Sequence, residues 1–340
     1  MPRNKKDYLL ISLKGMAMGA ADVVPGVSGG TIALIVGIYK ELIDSFTKIN
    51  FGLFKIIRQE GIKKAFQSVN GAFLVALVSG IAISILSLAK LFHYLLETKA
   101  VLVWSFFFGL IIASVWLVGK RVNVWNPKNI MALLIGALLS YGITVISPAN
   151  GPDTLIFLFF SGMLAFIAMI LPGISGSFIL LLLGAYQLVL GKVSSLIDSL
   201  RHVDLTLLYS NVVSLAVFAI GGVIGLLSFS RVLKWMFEKH EGRTLALLSG
   251  FLIGSLNKVW PWKQTTEVFV KHPGELNESF VPLVQINVLP NDAFRFISEG
   301  DRLMGITSKE PQLALAILLA IGGFMLIFLM ERYSSKKTAE

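Results

Sequence analysis

Two short motifs of the same type, one in each half of the chain, combine a helix breaker with hydroxyl groups. They are Pro25-Gly26-Val27-Ser28-Gly29-Gly30-Thr31 and Pro172-Gly173-Ile174-Ser175-Gly176-Ser177. Proline lacks a backbone N–H and glycine admits positive φ, so each motif is predicted to interrupt a helix and leave backbone groups unpaired. A helix that restarts at Ser28 or Ser175 would present free N–H groups, hydroxyls and the positive end of its dipole. This chemistry suits an anion, and phosphate in particular.

Few ionisable side chains accompany the motifs. Asp22 is the one acidic residue of 20 inside an apolar core, where an acid is expected to carry a proton or pair with a cation. The alternative is an aspartate that caps neighbouring N–H groups. Because its counterpart in the second half is Met169, the predicted site is asymmetric. Four cations could meet a phosphate near a bilayer face, although each alone is also explained as a side chain reaching the interface: Lys14, Lys90, Arg231 and Arg243.

The segments that carry the motifs have the composition of membrane spans. The chain has 340 residues, of which 55% are hydrophobic and 15% are charged, whereas soluble proteins carry about 25% charged residues. Apolar windows long enough to cross a bilayer are 70–89, 101–118, 129–147, 210–229, 244–259 and 312–330. We therefore predict a multi-pass protein in the membrane bilayer. The net charge of +10 is assigned to cytoplasmic loops facing anionic lipid, not to nucleic acid.

The chain also repeats itself. GMAMGAADVVPGVSGGTIALIVGIY (15–39) aligns without gaps with GMLAFIAMILPGISGSFILLLLGAY (162–186), at an offset of 147 residues. A second pair of segments, 87–97 and 228–238, aligns at an offset of 141, followed by Gly109 with Gly250. These alignments predict two repeats, residues 1–150 and 151–340, the second with a polar outer insert at 263–309. Internal repeats are common in transporters, although a duplication can also be kept for structure alone.

The motif-bearing segments, 8–46 and 154–190, are predicted to be re-entrant helical hairpins. The arms of the first would each extend roughly 24–26 Å, short of a ~30 Å hydrocarbon core. If both segments return to the side they enter from, 20 Lys and Arg residues face the cytoplasm, 4 lie in short outer loops and 6 lie in or beside the long insert, where the rule is weak. Single crossings would give 13 inside and 17 outside, so the positive-inside rule favours hairpins. Three spans separate the hairpins, which then enter from opposite faces, and the breaks meet near the midplane.

The predicted fold is an all-α polytopic membrane protein of two inverted repeats, each with one re-entrant hairpin and three transmembrane helices. Both termini are expected in the cytoplasm, and residues 48–66 form a basic amphipathic stretch expected on the inner surface. A pair of kinks lined by small residues for tight packing is the alternative explanation of the breaks. The chain has no cysteine, Walker loop, metal-ligating His spacing or nucleophile elbow. We therefore predict no cofactor, metal or enzyme activity, and the sequence does not indicate an oligomeric state.

The stretches ADVVPGVSGGT (21–31), LPGISGS (171–177) and GSLNKVWPW (254–262) resemble a bacterial membrane family formerly catalogued as a domain of unknown function. That family is now regarded as undecaprenyl-phosphate translocases, the PopT-type polyprenyl-phosphate flippases. The resemblance covers nearly the whole chain and implies a cytoplasmic-membrane protein. It implies return of the carrier lipid from the outer to the inner leaflet, for reuse in envelope synthesis and peptidoglycan precursor recycling. Members often have Arg where this chain has Asn257.

Three functions are compatible with these residues. The first is a lipid-phosphate translocase in which Asp22 couples movement to protons. The second is a transporter of a small soluble anion or weak acid. The third is an integral lipid phosphatase or transferase, which would need a paired base and nucleophile. Residues predicted to bind the polyprenyl-phosphate lipid are Asp22, Pro25, Gly26, Ser28, Gly29, Gly30, Thr31, Pro172, Gly173, Ser175, Gly176, Ser177, Arg231 and Lys90.

Overall fold

A computed structural model describes residues 3–23, 27–146, 151–202, 205–271 and 279–339. The helices of the first half are α1 Lys5–Val23, α2 Gly29–Ile35, α3 Tyr39–Thr47, α4 Gly52–Glu60, α5 Ile62–Ser68, α6 Gly71–Thr98, α7 Ala100–Lys120 and α8 Pro127–Val145. Those of the second half are α9 Leu155–Ile170, α10 Gly176–Leu183, α11 Ala185–His202, α12 Leu205–Ser255, α13 Asp292–Arg295, α14 Glu299–Leu303 and α15 Leu313–Ala339. Two strands, β1 Lys263–Lys271 and β2 Ser279–Asn287, precede α13.

Four of the described helices are long and apolar enough to cross a membrane. They are Gly71–Leu88 within α6, α7, α8 and α12. A fifth candidate is the pair α10 and Ala185–Leu196, which is bent by 100°. Two shorter apolar helices, α9 and Leu313–Leu329 within α15, add to this set. The protein is therefore a mostly helical, multi-pass membrane protein.

Each motif-bearing segment doubles back on itself. In the first hairpin (α1–α3), Arg3 and Glu41 form an ion pair at 2.5 Å, so the chain returns to its starting end. In the second hairpin (α9–α11), Lys192 and Asp153 form an ion pair at 2.8 Å, which joins the two ends of that hairpin in the same way. The order of the charges differs between the two pairs. The basic residue, Arg3, precedes the first helix of the first hairpin, whereas the basic residue of the second hairpin, Lys192, follows the break.

The same backbone contacts fix each hairpin to a long helix. α1 packs along α6, and α9 packs along α12. A Cβ built on Gly80 would lie 2.0 Å from the carbonyl oxygen of Ser12, and one on Gly221 would lie 2.0 Å from that of Phe159. Only glycine permits this approach of two helix backbones. The positions in these two contacts correspond at the offsets of the sequence repeat.

Each half of the chain also packs against a helix of the other half. α7 packs against α15, and α8 packs against α12. A Cβ on Gly109 would lie 1.8 Å from the Ala320 carbonyl oxygen of α15. A Cβ on Gly250 of α12 would lie 2.1 Å from the Leu133 carbonyl oxygen of α8. Each half therefore completes its packing with a helix of the other.

The windows 210–229 and 244–259 fall on opposite sides of His240, whose non-helical backbone (φ −144°, ψ 49°) divides α12 into two helices. One feature, the insert, differs from the expected all-α fold. The insert contains β1 and β2, which pair antiparallel from Lys263 with Asn287 onward. β-Branched and aromatic residues in KQTTEVFVK and SFVPLVQIN favour strands. Composition marked the insert only as polar, so this pairing was missed.

The stretch 48–66 forms α4 and α5, two short helices joined at Gly61 (φ 87°). Large apolar side chains project from them, with Phe51 93% and Ile62 77% exposed. Lysine and arginine side chains accompany these apolar groups along the same stretch. This combination is typical of helices that lie in a membrane interface.

Candidate functional site

Both breaks have the same local backbone. Ser28 precedes α2 with φ −120° and ψ 131°, and Ser175 precedes α10 with φ −100° and ψ 131°. A second interruption follows each short helix at Gly37 (φ 75°) and Gly184 (φ 72°). Glycine allows this left-handed conformation, which turns the chain into α3 and α11. Pro25 and Gly26 lie outside the described residues.

The two breaks touch each other in the core. Thr31 Oγ1 accepts a 2.9 Å hydrogen bond from the backbone N–H of Gly173. Ser28 Oγ donates to the carbonyl oxygen of Leu171 at 3.1 Å. A Cβ on Gly30 would lie 2.5 Å from the carbonyl oxygen of Ile170, so the start of α2 abuts the end of α9. Side chains of the first break therefore pair backbone groups that the second break frees.

The backbone N–H groups at the N-terminus of α2 all donate hydrogen bonds to groups of the protein itself. Asp22 Oδ1 accepts a 2.6 Å hydrogen bond from Gly29 N–H, and Ser28 Oγ accepts one of 3.1 Å from Gly30 N–H. The N–H of Thr31 donates to the carbonyl oxygen of Ser28 at 2.9 Å. The prediction of free N–H groups is therefore wrong for the first break. Asp22 is a capping carboxylate, the alternative that its sequence position had left open.

The N-terminus of α10 is different. The hydroxyls of Ser175 and Ser177 pair with each other at 2.9 Å, and Ser175 makes no side-chain capping bond. Within the described chain, no carboxylate reaches Gly176 or Ser177, because Met169 occupies the position equivalent to Asp22. Pro172 and Gly173 are buried beside this end. The sequence predicted equivalent backbone donors at the two breaks, whereas the structure bonds those of α2 internally and shows no side-chain cap at α10.

Most of the cations predicted from the sequence are located elsewhere. Lys14 Nζ donates to the carbonyl oxygen of Val36 at 2.8 Å, at the end of α2. Arg231 is exposed and donates to the carbonyl oxygen of Ile49 at 3.1 Å. Arg243 is also exposed. The backbone of Lys90 belongs to α6, while its side chain lies outside the described part of the structure.

One cation near the second break was missed. Lys258 lines a small cavity with Ser175, Gly173 and Ser140. Its ammonium lies 4.3 Å from the centre of the Phe178 ring. Lys258 follows α12 by three residues and is 83 residues from Ser175, so no local spacing connects them. It lies within GSLNKVWPW, next to Asn257, whose side chain donates to the Thr144 hydroxyl at 2.8 Å.

Comparisons with known proteins find a matching family model and two curated relatives. A family model described as undecaprenyl phosphate translocase-like matches residues 18–277. A polyprenyl-phosphate transporter of Vibrio cholerae is 43% identical over 330 residues, covering 97% of this chain and 98% of that protein. A polyprenyl-phosphate transporter of Staphylococcus aureus is 33% identical over 268 residues, covering 75% and 87%. No solved structure matches the chain significantly.

The family match includes both breaks and the region from Asn257 to the first strand. The Vibrio protein aligns over nearly the full length of both chains. The resemblance inferred from the three motifs is therefore confirmed. The chain belongs to the undecaprenyl phosphate translocase-like family.

Proposed function

We propose that this protein translocates undecaprenyl phosphate from the outer to the inner leaflet of the bacterial cytoplasmic membrane, where the carrier is reused in envelope synthesis. The observation that carries the proposal is the contact between the two helix breaks at Thr31 and Gly173. It supports one shared site, at which the hydroxyls and helix-terminal N–H groups of the second break suit a phosphate. The printed names of the relatives, polyprenyl-phosphate transporters, support the lipid class.

The two halves act in this proposal as inverted repeats, residues 1–150 and 151–340, with both termini in the cytoplasm. The first hairpin enters the bilayer from the cytoplasm and the second from outside. The distribution of Lys and Arg between predicted loops supports this orientation. The phosphate passes between the breaks while the polyprenyl tail stays in lipid. This route keeps the charged group away from hydrocarbon and leaves the apolar tail there.

Asp22 couples the movement to protons. It is the acid nearest the breaks, and its Oδ1 holds the N–H of Gly29 at the start of α2. Protonation would weaken this charge-assisted hydrogen bond and so loosen the start of α2, the helix whose Thr31 contacts the second break. A pH difference across the membrane would then bias which leaflet the site faces.

The test is a leaflet-resolved assay in vesicles that contain undecaprenyl phosphate and the purified protein. An impermeant phosphatase added outside cleaves only outer-leaflet lipid. We expect the protein to make inner-leaflet lipid accessible and an imposed pH gradient to change the rate. Protein-free vesicles are the control, and equal accessibility in both would overturn the proposal.

A second arm separates the soluble-anion alternative. Vesicles without the lipid are loaded with inorganic phosphate or a small weak acid, and its release is followed. Lipid movement without release supports the translocase. Release without lipid movement would support an anion transporter. Phosphate liberated from the lipid without added phosphatase would indicate a lipid phosphatase instead.

A further inference from the structure

The second break carries a set of polar groups that the first lacks. A small cavity of about 10 Å³ lies beside the N-terminus of α10, with room for roughly one water molecule. Its polar lining consists of Ser140, Thr144, Ser175 and Lys258. These residues come from α8, the start of α10 and the segment after α12. Three distant parts of the chain therefore converge on one helix N-terminus.

Two of these groups lack the partners that polar groups at such positions normally have. Ser140 is 1% exposed, and its hydroxyl has no hydrogen-bond partner in the described structure. Lys258 is partly buried, and no described carboxylate pairs with it. Buried polar groups are usually satisfied, and an unpaired charge is more costly still. Both therefore point to an anionic ligand with acceptor oxygens.

The nearby Lys263 does not serve this role. Its amine donates to the carbonyl oxygen of Lys258 and lies 4.0 Å from the centre of the Trp104 ring. Burial, together with the charge of Lys258, lowers the pKa of Lys263 well below its ordinary value. Lys263 is thus engaged with Lys258 and Trp104, and Lys258 is the cation of this pair that lines the cavity.

The first break shows what such a ligand would do. There Asp22 holds the N–H of Gly29 at 2.6 Å. The equivalent N–H in the second half belongs to Gly176, and Met169 provides no carboxylate. The protein's own carboxylate caps one helix terminus, whereas no described carboxylate caps the other.

We propose that the phosphomonoester headgroup binds only at the second break, where Lys258, Ser140 and the N–H groups of Gly176 and Ser177 hold its oxygens. Asp22 occupies the corresponding place at the first break. This inference rests on the proposed function and deepens it. The cavity is smaller than a phosphate, so the headgroup enters after α8 and α10 separate.

The test measures affinity of the purified full-length protein in nanodiscs for undecaprenyl phosphate, undecaprenol and inorganic phosphate. Lys258→Met should weaken undecaprenyl phosphate binding roughly 10- to 100-fold, the effect of losing a charged hydrogen bond. Lys258→Arg should retain most of the affinity, and Ser140→Ala should weaken it about 3- to 10-fold. Undecaprenol binding should not change in any variant. Lys128→Met, an exposed lysine at the start of α8, is the matched control.

Thermal unfolding distinguishes a ligand group from a structural one. Because no described carboxylate pairs with Lys258, its replacement leaves no buried carboxylate without a partner. Lys258→Met should therefore match or exceed the wild-type Tm while binding less lipid phosphate. Wild-type affinity in Lys258→Met and Ser140→Ala would overturn the inference. If Lys258→Met fails to fold, Ser140→Ala and Lys258→Arg still decide it.

The failure of the proposed function has a different result. In that case the wild-type protein itself would not prefer undecaprenyl phosphate to undecaprenol. If inorganic phosphate binds as tightly as undecaprenyl phosphate, and its binding depends on Lys258, the phosphate subsite is supported. The proposal that its ligand is a lipid headgroup would then be overturned.

Discussion

Thr31 Oγ1 accepts a hydrogen bond from the backbone N–H of Gly173, a residue 142 positions later in the chain. Both partners are buried, and each belongs to a helix break. Proline and glycine free backbone groups at each break, and in a membrane such groups need a partner within the protein. The first break thus satisfies a group of the second, and the two hairpins are joined where each is least regular.

Replacing Thr31 by Val tests this hydrogen bond between the two breaks. The variant keeps the side-chain shape but leaves the N–H of Gly173 without its acceptor, so we expect a loss of about 1–3 kcal/mol in the free energy of unfolding. Thr31→Ser retains the oxygen and should stay close to wild type. Thermal unfolding in detergent measures both. An unchanged Tm in Thr31→Val would show that the N–H finds another partner.

The two motif serines should behave differently. Ser28 caps α2 and bonds the Leu171 carbonyl oxygen, so Ser28→Ala should cost about 1–2 kcal/mol of stability. Ser175 pairs only with Ser177 among the described residues, so Ser175→Ala should cost less in stability and more in lipid-phosphate affinity. Unfolding and binding are measured on the same preparations. Equal effects of both substitutions on both quantities would contradict the asymmetry of the breaks.

The capping role of Asp22 and its proposed role as a proton carrier can be tested separately. Asp22→Asn keeps an oxygen for the Gly29 N–H and should lose little stability, whereas Asp22→Ala should lose about 0.5–2 kcal/mol. If Asp22 carries the coupled proton, Asp22→Asn should transport at a rate that no longer responds to an imposed pH gradient. Asp7→Asn, at the exposed start of α1, serves as the control. A retained pH response in Asp22→Asn would assign coupling to another group.

The insert that contains β1 and β2 should be sensitive to acid. Burial by itself raises the pKa of Asp301, but hydrogen bonds from Lys309 and Ser298 and the charge of Lys309 lower that pKa below its ordinary value. The folded pKa is the lower one, so this stabilisation is complete above about pH 4 and is lost as pH falls further. Fluorescence of Trp260 and Trp262, whose indoles bond the Val288 and Pro311 carbonyls, would report the transition.

The same ion pair predicts a large effect of substitution. Lys309 and Asp301 lie 2.5 Å apart and are 9% and 1% exposed, so Lys309→Met leaves a buried carboxylate unpaired and should cost about 3–5 kcal/mol. Lys64→Gln breaks the exposed pair with Glu60 and should change stability by less than about 0.5 kcal/mol. Similar shifts in Tm for the two variants would contradict the structural role of the insert pair.

The sequence was informative about the breaks because proline and glycine act locally. The motif that contains Ser28 predicted a restart of the helix at that residue, and α2 begins directly after it. The glycines at 37 and 184 stood in the aligned segments, yet the pattern around them is continuously apolar. Periodicity alone therefore did not reveal the second turn in each hairpin.

Other features depended on distant residues. The capping role of Asp22 depends on how α1 meets α2, which sequence position left undecided. Lys258 reaches the second break only because α12 returns the chain to α8 and α10. The strands in the insert form by pairing across a connection that composition describes merely as polar. In each case the deciding contact joins parts of the chain that share no short spacing.

The glycine contacts between α1 and α6, and between α9 and α12, have a mechanical consequence. Gly80 lies against the Ser12 carbonyl and Gly221 against the Phe159 carbonyl with no layer of side chains between them. A shift of one residue along either seam would drive a side chain into a carbonyl oxygen, so these seams resist sliding. Each hairpin and its long helix should thus move as one rigid unit, and in the proposed translocation the site would change the face it opens to by rotation of these units about the contacts between halves.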